Sequence, residues 1–211
     1  MKKLSHYLKC NSTIEVLTGI HIGGSKDEIK IGGIDNPIMK NPITNLPYIP
    51  GSSLKGRFRM ALEQKYNDVS EEKNGVGPSD NSAHDSKVVI LFGSGNPRST
   101  IEPTRYIFRD SNLLEDYREF AATEDKTEVK IDREKGSAFK TGVRHQERVS
   151  AGAKFNFEVN IRIFEGDDED LFKSRLEEAA KIVELEYLGG SGTRGYGQVK
   201  FAPFSYEKVE I

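Results

Sequence analysis

Much of the usual equipment of enzymes and exported proteins is missing from this chain. Its one cysteine, Cys10, cannot close an internal disulfide or supply a zinc cluster. A small buried thiol is the expected role. No run approaches about eighteen consecutive apolar residues, which argues against a membrane span. The polar start "MKKLSHYLKC" lacks the apolar centre of a secretory signal. A cytoplasmic protein with no membrane partner is therefore expected. Catalytic constellations are scarce too: there is no Ser-His-Asp arrangement, no paired carboxylates and no HExxH helix. "PGSSLKGRFR" has the look of a phosphate loop but lacks its glycine spacing and its Lys-Ser/Thr ending, which excludes an NTPase of that type. His84 and His145 stand in polar stretches without metal-ligand spacing.

Net charge is nearly absent, at −2 from 31 Lys+Arg against 33 Asp+Glu, but the charges are segregated. Between Gly32 and Met60 the only acid is Asp35, and it is followed by Lys40, Lys55, Arg57 and Arg59. From Arg133 to Lys154 six basic residues stand against Glu134 and Glu147. From Glu165 to Glu186 nine acids stand against Lys173, Arg175 and Lys181. This pattern predicts a basic face suited to a phosphate-bearing ligand and an opposite, solvated acidic face.

What is present reads as an α+β domain. "STIEVLTGIHIGG" alternates Ile14, Val16, Ile20 and Ile22 and predicts a strand ending at Gly23-Gly24. A proline-bearing loop follows to Pro50. "GSSLKGRFRMALEQKY" predicts a helix capped by Ser52 or Ser53, with Leu54, Phe58, Leu62 and Tyr66 on one face. Residues 67–87 are polar and rich in Gly, Ser, Asp and Asn, a surface insertion with the composition of a partly disordered segment. "VVILFGSG" is a buried run and a strand candidate, and "PTRYIFRD" is a second. Residues 123–150 suit a protruding hairpin. "KFNFEVNIRIF" alternates strictly and predicts a strand. Residues 168–187 predict an amphipathic helix stopped at Gly189-Gly190, and "YGQVKF" supplies a last strand. This order fits a single domain over 1–211 with a ferredoxin-like β-α-β-β-α-β core carrying insertions.

Three segments could carry chemistry. The start of the first helix offers backbone N–H groups, the hydroxyls of Ser52 and Ser53, and nearby cations, a combination that can hold phosphate. Its plainer reading is a capped surface helix with solvated Lys and Arg. "YLGGSGTRGYGQV" places five glycines around Arg194, letting a backbone approach a ligand while Arg194 grips phosphate. The plainer reading is a loop that needs positive φ angles at a helix end. Asp35 is a lone loop aspartate of the kind that forms turns and caps, and His21 reads as a satisfied structural histidine.

Taken together, "VLTGIHIGGSKDEIKIGGIDNPIMKNPITNLPYIPGSSLKGRFR", "LFG", "PTRYIFRD", "RHQERVSAGAKF" and "YLGGSGTRGYGQV" resemble, in order, a known family. It is the family of the repeated backbone subunit of type III-A CRISPR-Cas (Csm) effector complexes, within the repeat-associated mysterious protein (RAMP) superfamily. The resemblance implies an RNA-recognition-like core with a protruding β-hairpin thumb. Several copies would stack along the CRISPR RNA, together with other subunits of the complex, and cleave guide-paired target RNA at regular intervals. It assigns catalysis and metal binding to Asp35, with weakly bound Mg²⁺ or Mn²⁺. RNA contact is assigned to His21, Ser52, Ser53, Lys55, Arg57, Arg59, Gly190, Thr193 and Arg194. Under this reading the basic residues after Asp35 hold the guide's phosphates while base pairing reads sequence.

Two other readings stand beside it. One is a purely structural RNA-binding scaffold in which Asp35 does no chemistry. The other is a RAMP endonuclease that processes CRISPR RNA alone, for which His21 is the only candidate base.

Overall fold

The strict alternation of Lys154–Phe164 becomes the middle of a five-stranded sheet in the computed structural model, which describes residues 2–24, 34–72, 75–78, 88–94, 103–118 and 123–211. In chain order the elements are β1 (Leu4–Val16), β2 (Tyr48–Ile49), α1 (Gly51–Tyr66), β3 (Val69–Glu72), β4 (Gly75–Pro78), α2 (Val89–Phe92), β5 (Tyr106–Phe108), β6 (Ser111–Asn112), β7 (Thr123–Ile131), β8 (Ala138–Val149), β9 (Lys154–Phe164), α3 (Glu169–Leu185), β10 (Val199–Phe201) and β11 (Ser205–Glu210). The main sheet runs β10-β1-β9-β5 with every neighbour antiparallel, and β11 pairs with the other end of β1. Allowing for the insertions, this is the strand order of a ferredoxin-like core.

Register follows burial. Ile14 faces Phe155 and Cys10 faces Val159 across the β1–β9 ladder, and all four side chains are buried. A slip of one residue would turn the whole set to solvent. From α1, Leu54, Phe58, Ala61 and Leu62 join this core; from α3, Phe172, Leu176, Ala179 and Val183 do so. An aromatic cluster sits at its centre, with Phe58 stacked on Phe157 at 5.5 Å and Phe157 edge-on to Phe201 at 5.2 Å. Cys10 is the buried thiol expected, and burial pushes its pKa up to about 12 against an opposing hydrogen bond with Tyr206. Arg105 and Asp167 form a buried bidentate pair at 2.6 and 3.1 Å, with the Arg105 guanidinium over the Phe164 ring.

The structure corrects several expectations. The first strand starts at Leu4, not near Ser12, and stops at Val16. Its early inward positions include His6 and Cys10, which are not conspicuous as apolar residues in sequence. Beyond Val16 the chain leaves the sheet, and Ile20 pairs its N–H and C=O with Val149 at 3.0 and 2.8 Å. "VVILF" is the helical turn α2 rather than a strand. It is buried as expected, but a short apolar run carries no period that separates the two states.

Neither serine caps α1. Pro50 stands at the N-cap, and the Gly51 N–H donates instead to Asp110 Oδ1 at 2.7 Å. Within 67–87, β3 and β4 pair as a short hairpin, and residues 73–74 and 79–87 lie outside the described residues. The β7–β8 hairpin forms a separate two-stranded sheet, turned through Asp132–Gly136, where Gly136 has φ +64. Among the described residues, no helix is long and apolar enough to cross a membrane.

Candidate nucleic-acid interface

Three segments distant in sequence meet at the base of the β7–β8 hairpin. Residues 34–40 lie along the outer edge of β8, where Asn36 bridges Gln146 in parallel fashion. The Asn36 N–H donates to His145 O at 3.3 Å, and the Glu147 N–H donates to Asn36 O at 3.1 Å. One step back, the Asp35 side chain continues that ladder: its Oδ2 accepts the His145 backbone N–H at 2.8 Å. Asp35 is exposed, and its Oδ1 makes no hydrogen bond among the described residues. On the neighbouring face, His145 Nδ1 lies 3.2 Å from Asp125 Oδ2 and 3.3 Å from Thr127 Oγ1. Sequence spacing gave no hint of this group, because Asp125 and His145 meet only across the hairpin register.

Glu147 clamps the same segment. Its buried carboxylate accepts the Ile38 N–H at 3.1 Å and Lys40 Nζ at 2.5 Å. Burial pushes its pKa up, but these hydrogen bonds, one from Thr123 and the Lys40 charge outweigh that and hold it below the ordinary range. Lys40 is therefore committed to the protein's own carboxylate.

His21 joins the second segment to the third. A carbonyl oxygen can only accept, so His21 Nδ1–H donates to Glu147 O at 2.6 Å. In turn His21 O accepts the Gly190 N–H at 2.8 Å. Gly189 sits at φ +87, and a β-carbon there would lie 2.5 Å from His21 O, so this approach requires glycine. Thr193 and Arg194 lie exposed on the same loop. Arg194 does not project freely: it donates to Glu128 Oε2 of β7 at 2.9 Å and to Ser191 Oγ at 2.6 Å.

The helical cations divide differently from their reading in sequence. Arg57 is not presented to a ligand. It is buried, donating to Tyr187 O at 2.7 Å and to Glu186, with its guanidinium 4.8 Å from the centre of the Tyr187 ring. The Tyr187 ring fills the space where a side chain on Gly192 would stand, so Arg57 anchors the glycine-rich loop from below. Arg59 is likewise internal, bound to Glu63 Oε1 at 2.6 Å and Gly93 O at 2.9 Å. The Arg59–Glu63 spacing of four was visible in the sequence and is the signal that would have found this pair.

Ser53 and Leu54 turn their N–H groups to Pro50 O, at 3.0 and 3.2 Å. With Gly51 held by Asp110, little of an open phosphate cradle is left at Ser52 and Ser53. Lys55 differs from its neighbours. It makes no ion pair or hydrogen bond among the described residues, and burial together with the nearby Arg59 charge lowers its pKa. An anion at Lys55 would relieve both effects.

The RAMP superfamily pattern matches residues 13–200. The chain is 43% identical over 191 residues to "CRISPR system Cms endoribonuclease Csm3" of Methanocaldococcus jannaschii, covering 89% of this chain and 75% of the relative. It is 41% identical over 202 residues to the Csm3 endoribonuclease of Streptococcus thermophilus, covering 92% and 86%. Among solved structures, the Csm3-Csm4 subcomplex in the type III-A CRISPR-Cas interference complex aligns with TM-score 0.65 and 28% identity, over 99% of this chain and 82% of that one. A chain of the type III-B Cmr-beta complex bound to cognate target RNA aligns with TM-score 0.63 and 18% identity, over 97% and 61%, a likeness of fold alone.

Proposed function

This chain belongs to the RAMP superfamily, alongside the Csm3 endoribonucleases, and on that premise we propose that it is a CRISPR-RNA-binding backbone subunit of a type III-A effector complex. Copies of it stack along the guide with other subunits of the complex, and each cuts guide-paired target RNA near its own hairpin. The observation that carries the reading is the setting of Asp35. Its carboxylate is fixed by one oxygen to the β8 backbone of the hairpin and turns the other toward solvent.

The chemistry follows from positioning. A regular duplex keeps each 2′-OH out of line with its neighbouring phosphorus, so a guide-paired strand resists attack. A hairpin pressed into the duplex turns one nucleotide out and brings the 2′-oxygen into line. That oxygen attacks phosphorus as it gives up its proton, the 5′-oxygen leaves and takes a proton from water, and the products are a 2′,3′-cyclic phosphate and a 5′-hydroxyl. Asp35 Oδ1 is the group placed to receive or steer the 2′-OH proton. The His145 N–H holds Oδ2, so the carboxylate is oriented before RNA arrives.

One exposed carboxylate fits a weakly held Mg²⁺ or Mn²⁺ that takes its remaining ligands from water and RNA phosphate. Among the described residues no cluster of three or more His, Cys, Asp or Glu stands ready to enclose an ion. When bound, such an ion neutralises charge that develops on the phosphate. Guide phosphates are held by Lys55 and by Arg194 and Thr193 of the glycine-rich loop, while Gly190, whose N–H is taken by His21 O, keeps that loop in place. His21 and Arg57 hold that loop in place.

The scaffold reading has one observation in its favour: a carboxylate accepting a backbone N–H is also what a purely structural aspartate would do. Asp35→Asn separates the two, since the amide oxygen can still accept from His145. In the assembled complex the variant should bind guide-matched RNA normally and lose target cleavage at every regular site, by about a hundredfold or more. Cleavage by wild-type complex should stop in EDTA and return with Mg²⁺ or Mn²⁺. An Asn variant that cuts at the wild-type rate would establish the scaffold reading.

A further inference from the structure

The cation site of the glycine-rich loop already holds an anion, and it is the protein's own. Along β7, Glu124, Lys126, Glu128 and Lys130 share one face, opposite Arg148, Gln146 and Arg144 of β8. From that face Glu128 reaches to the loop. Its Oε2 accepts from Arg194 at 2.9 Å and, at a long 3.5 Å, from Gln146 Nε2, and its Oε1 accepts from the Tyr196 hydroxyl at 2.9 Å. Tyr196 is 1% exposed and Gln146 7%, so two of the three donors are fixed by the fold rather than being surface chains in chance contact. Ser191 Oγ orients the guanidinium from its other side. Lys126 and Arg148 lie 4.5 and 4.7 Å from the centre of the Tyr196 ring, adding positive charge, though Arg148 is partly answered by Glu124 at 2.6 Å.

A carboxylate and a phosphodiester offer a guanidinium the same pair of anionic oxygens. We propose that Arg194, the Tyr196 hydroxyl and Gln146 form a phosphodiester site for single-stranded RNA, and that Glu128 is its built-in stand-in, displaced when RNA binds. This rests on the reading that the glycine-rich loop faces RNA. Two consequences follow. Every RNA that uses the site must first displace a tethered competitor, so chance contacts with free protein are disfavoured, while a guide gripped along its length still binds. Because Glu128 is also a tie between β7 and the loop, RNA entry loosens that tie at the step when the hairpin must engage the duplex.

The test is RNA binding by the purified full chain, with a labelled single-stranded RNA titrated across a salt series. Four proteins are compared: wild type, Glu128→Gln, Arg194→Ala and the double variant. Glu128→Gln should bind about two- to fivefold more tightly, the range of an exposed ion pair. Its slope of log affinity against log salt should steepen by about 0.7, the share of one phosphate on a single strand, because Arg194 then neutralises a phosphate without freeing a carboxylate that takes up a cation of its own. Arg194→Ala should weaken binding, and the double variant should show none of the Gln gain.

If Arg194→Ala weakens binding while Glu128→Gln binds no more tightly, Glu128 is a structural tie and the stand-in idea is overturned with the RNA-facing loop intact. If Arg194→Ala binds like wild type, the loop does not meet RNA and the underlying reading fails. Thermal melts accompany each variant. Should Glu128→Gln not fold, Glu128→Asp takes its place: it keeps the charge but shortens the reach by one methylene, so binding tighter than wild type supports the proposal and unchanged or weaker binding overturns it.

Discussion

The main sheet and the β7–β8 hairpin are both antiparallel, yet they are held together by different physics. In β9 every second side chain enters one closed core, and Phe155, Phe157, Val159 and Ile161 are each 1% exposed or less. In the hairpin Val129, Ile131, Phe139 and Val143 are 41–51% exposed, and beside the backbone bonds of its base to Ile20 and Asn36 it is joined to its surroundings by charge: Glu128 to Arg194 and Glu147 to Lys40. Burial of apolar area fixes register strongly and is not screened by salt. Partly exposed ion pairs are weaker, are screened by salt, and can be exchanged for another anion. A rigid platform carrying an element tied down by exchangeable charge is a suitable build for a protein that must hold one RNA and bend another.

The largest effect that would sharpen this contrast is in the core. Phe157→Ala removes a ring that packs on Phe58, Phe201 and Phe204, and it should cost about 3–5 kcal/mol in denaturant unfolding. Phe139→Ala on the hairpin should cost no more than about 0.5–1 kcal/mol. Equal losses would mean that the hairpin belongs to the same cooperative unit as the sheet, and the contrast would fall.

A smaller effect should appear where the two regions are joined. Glu147→Gln removes the charge that clamps residues 38–40 to β8, next to the strand position that orients Asp35. Target cleavage by the assembled complex should drop by about ten- to a hundredfold through misplacement of Asp35, with guide binding preserved. The pH dependence has a definite sign. Because the folded pKa of Glu147 is depressed, its stabilising contribution is complete above the ordinary carboxylate pKa and fades as pH falls through the folded value. The clamp therefore holds throughout the neutral range and releases only on the acid side, where unfolding of the Gln variant should show a shallower pH dependence. Unchanged cleavage in the Gln variant would mean that the His145 N–H alone is enough to place Asp35.

These contrasts also explain what could be read in advance. "KFNFEVNIRIF" announced its strand because burial on one face leaves a period of two in the sequence, and α3 announced itself through Phe172, Leu176, Ala179 and Val183, although Leu171 turns outward and the helix ends at Leu185, before the Gly189-Gly190 pair read as its stop. Register between β1 and β9 was not legible, since His6 and Cys10 hold inward positions without being conspicuous as apolar residues. The site was legible only in part. The resemblance singled out Asp35, but nothing local marked the N–H that holds it, which belongs to His145. The stretch after Asp35 looked purely basic because its counter-charges come from elsewhere: Glu147 for Lys40, Glu186 for Arg57. Only Glu63, four residues beyond Arg59, lay within reach of a spacing rule. Segregation of charge along a sequence is not segregation in space when the acids return from other strands and helices.

The smallest expected effect tests that last point within a single helix. Lys55, Arg57 and Arg59 stand two residues apart and look alike in sequence, but only Lys55 lacks a protein partner among the described residues. Lys55→Ala should therefore leave the thermal midpoint within experimental scatter. It should weaken guide RNA binding severalfold and lower the slope of log affinity against log salt by about 0.7, the share of one phosphate on a single strand. Arg59→Ala should do the opposite. It removes the bonds that Arg59 donates to Glu63 and Gly93 O and so lowers stability by about 1–3 kcal/mol, while the salt slope stays unchanged in the fraction that remains folded. The depressed pKa of Lys55 adds a second reading of the same contact: a phosphate seated there favours the charged amine, so binding should take up protons at alkaline pH in wild type and fewer in the Ala variant. If both substitutions lowered the slope equally, Arg59 would have to leave Glu63 when RNA binds. The helix would then present a row of cations to the guide, and the division drawn here between internal and RNA-facing charge would have to move one turn along α1.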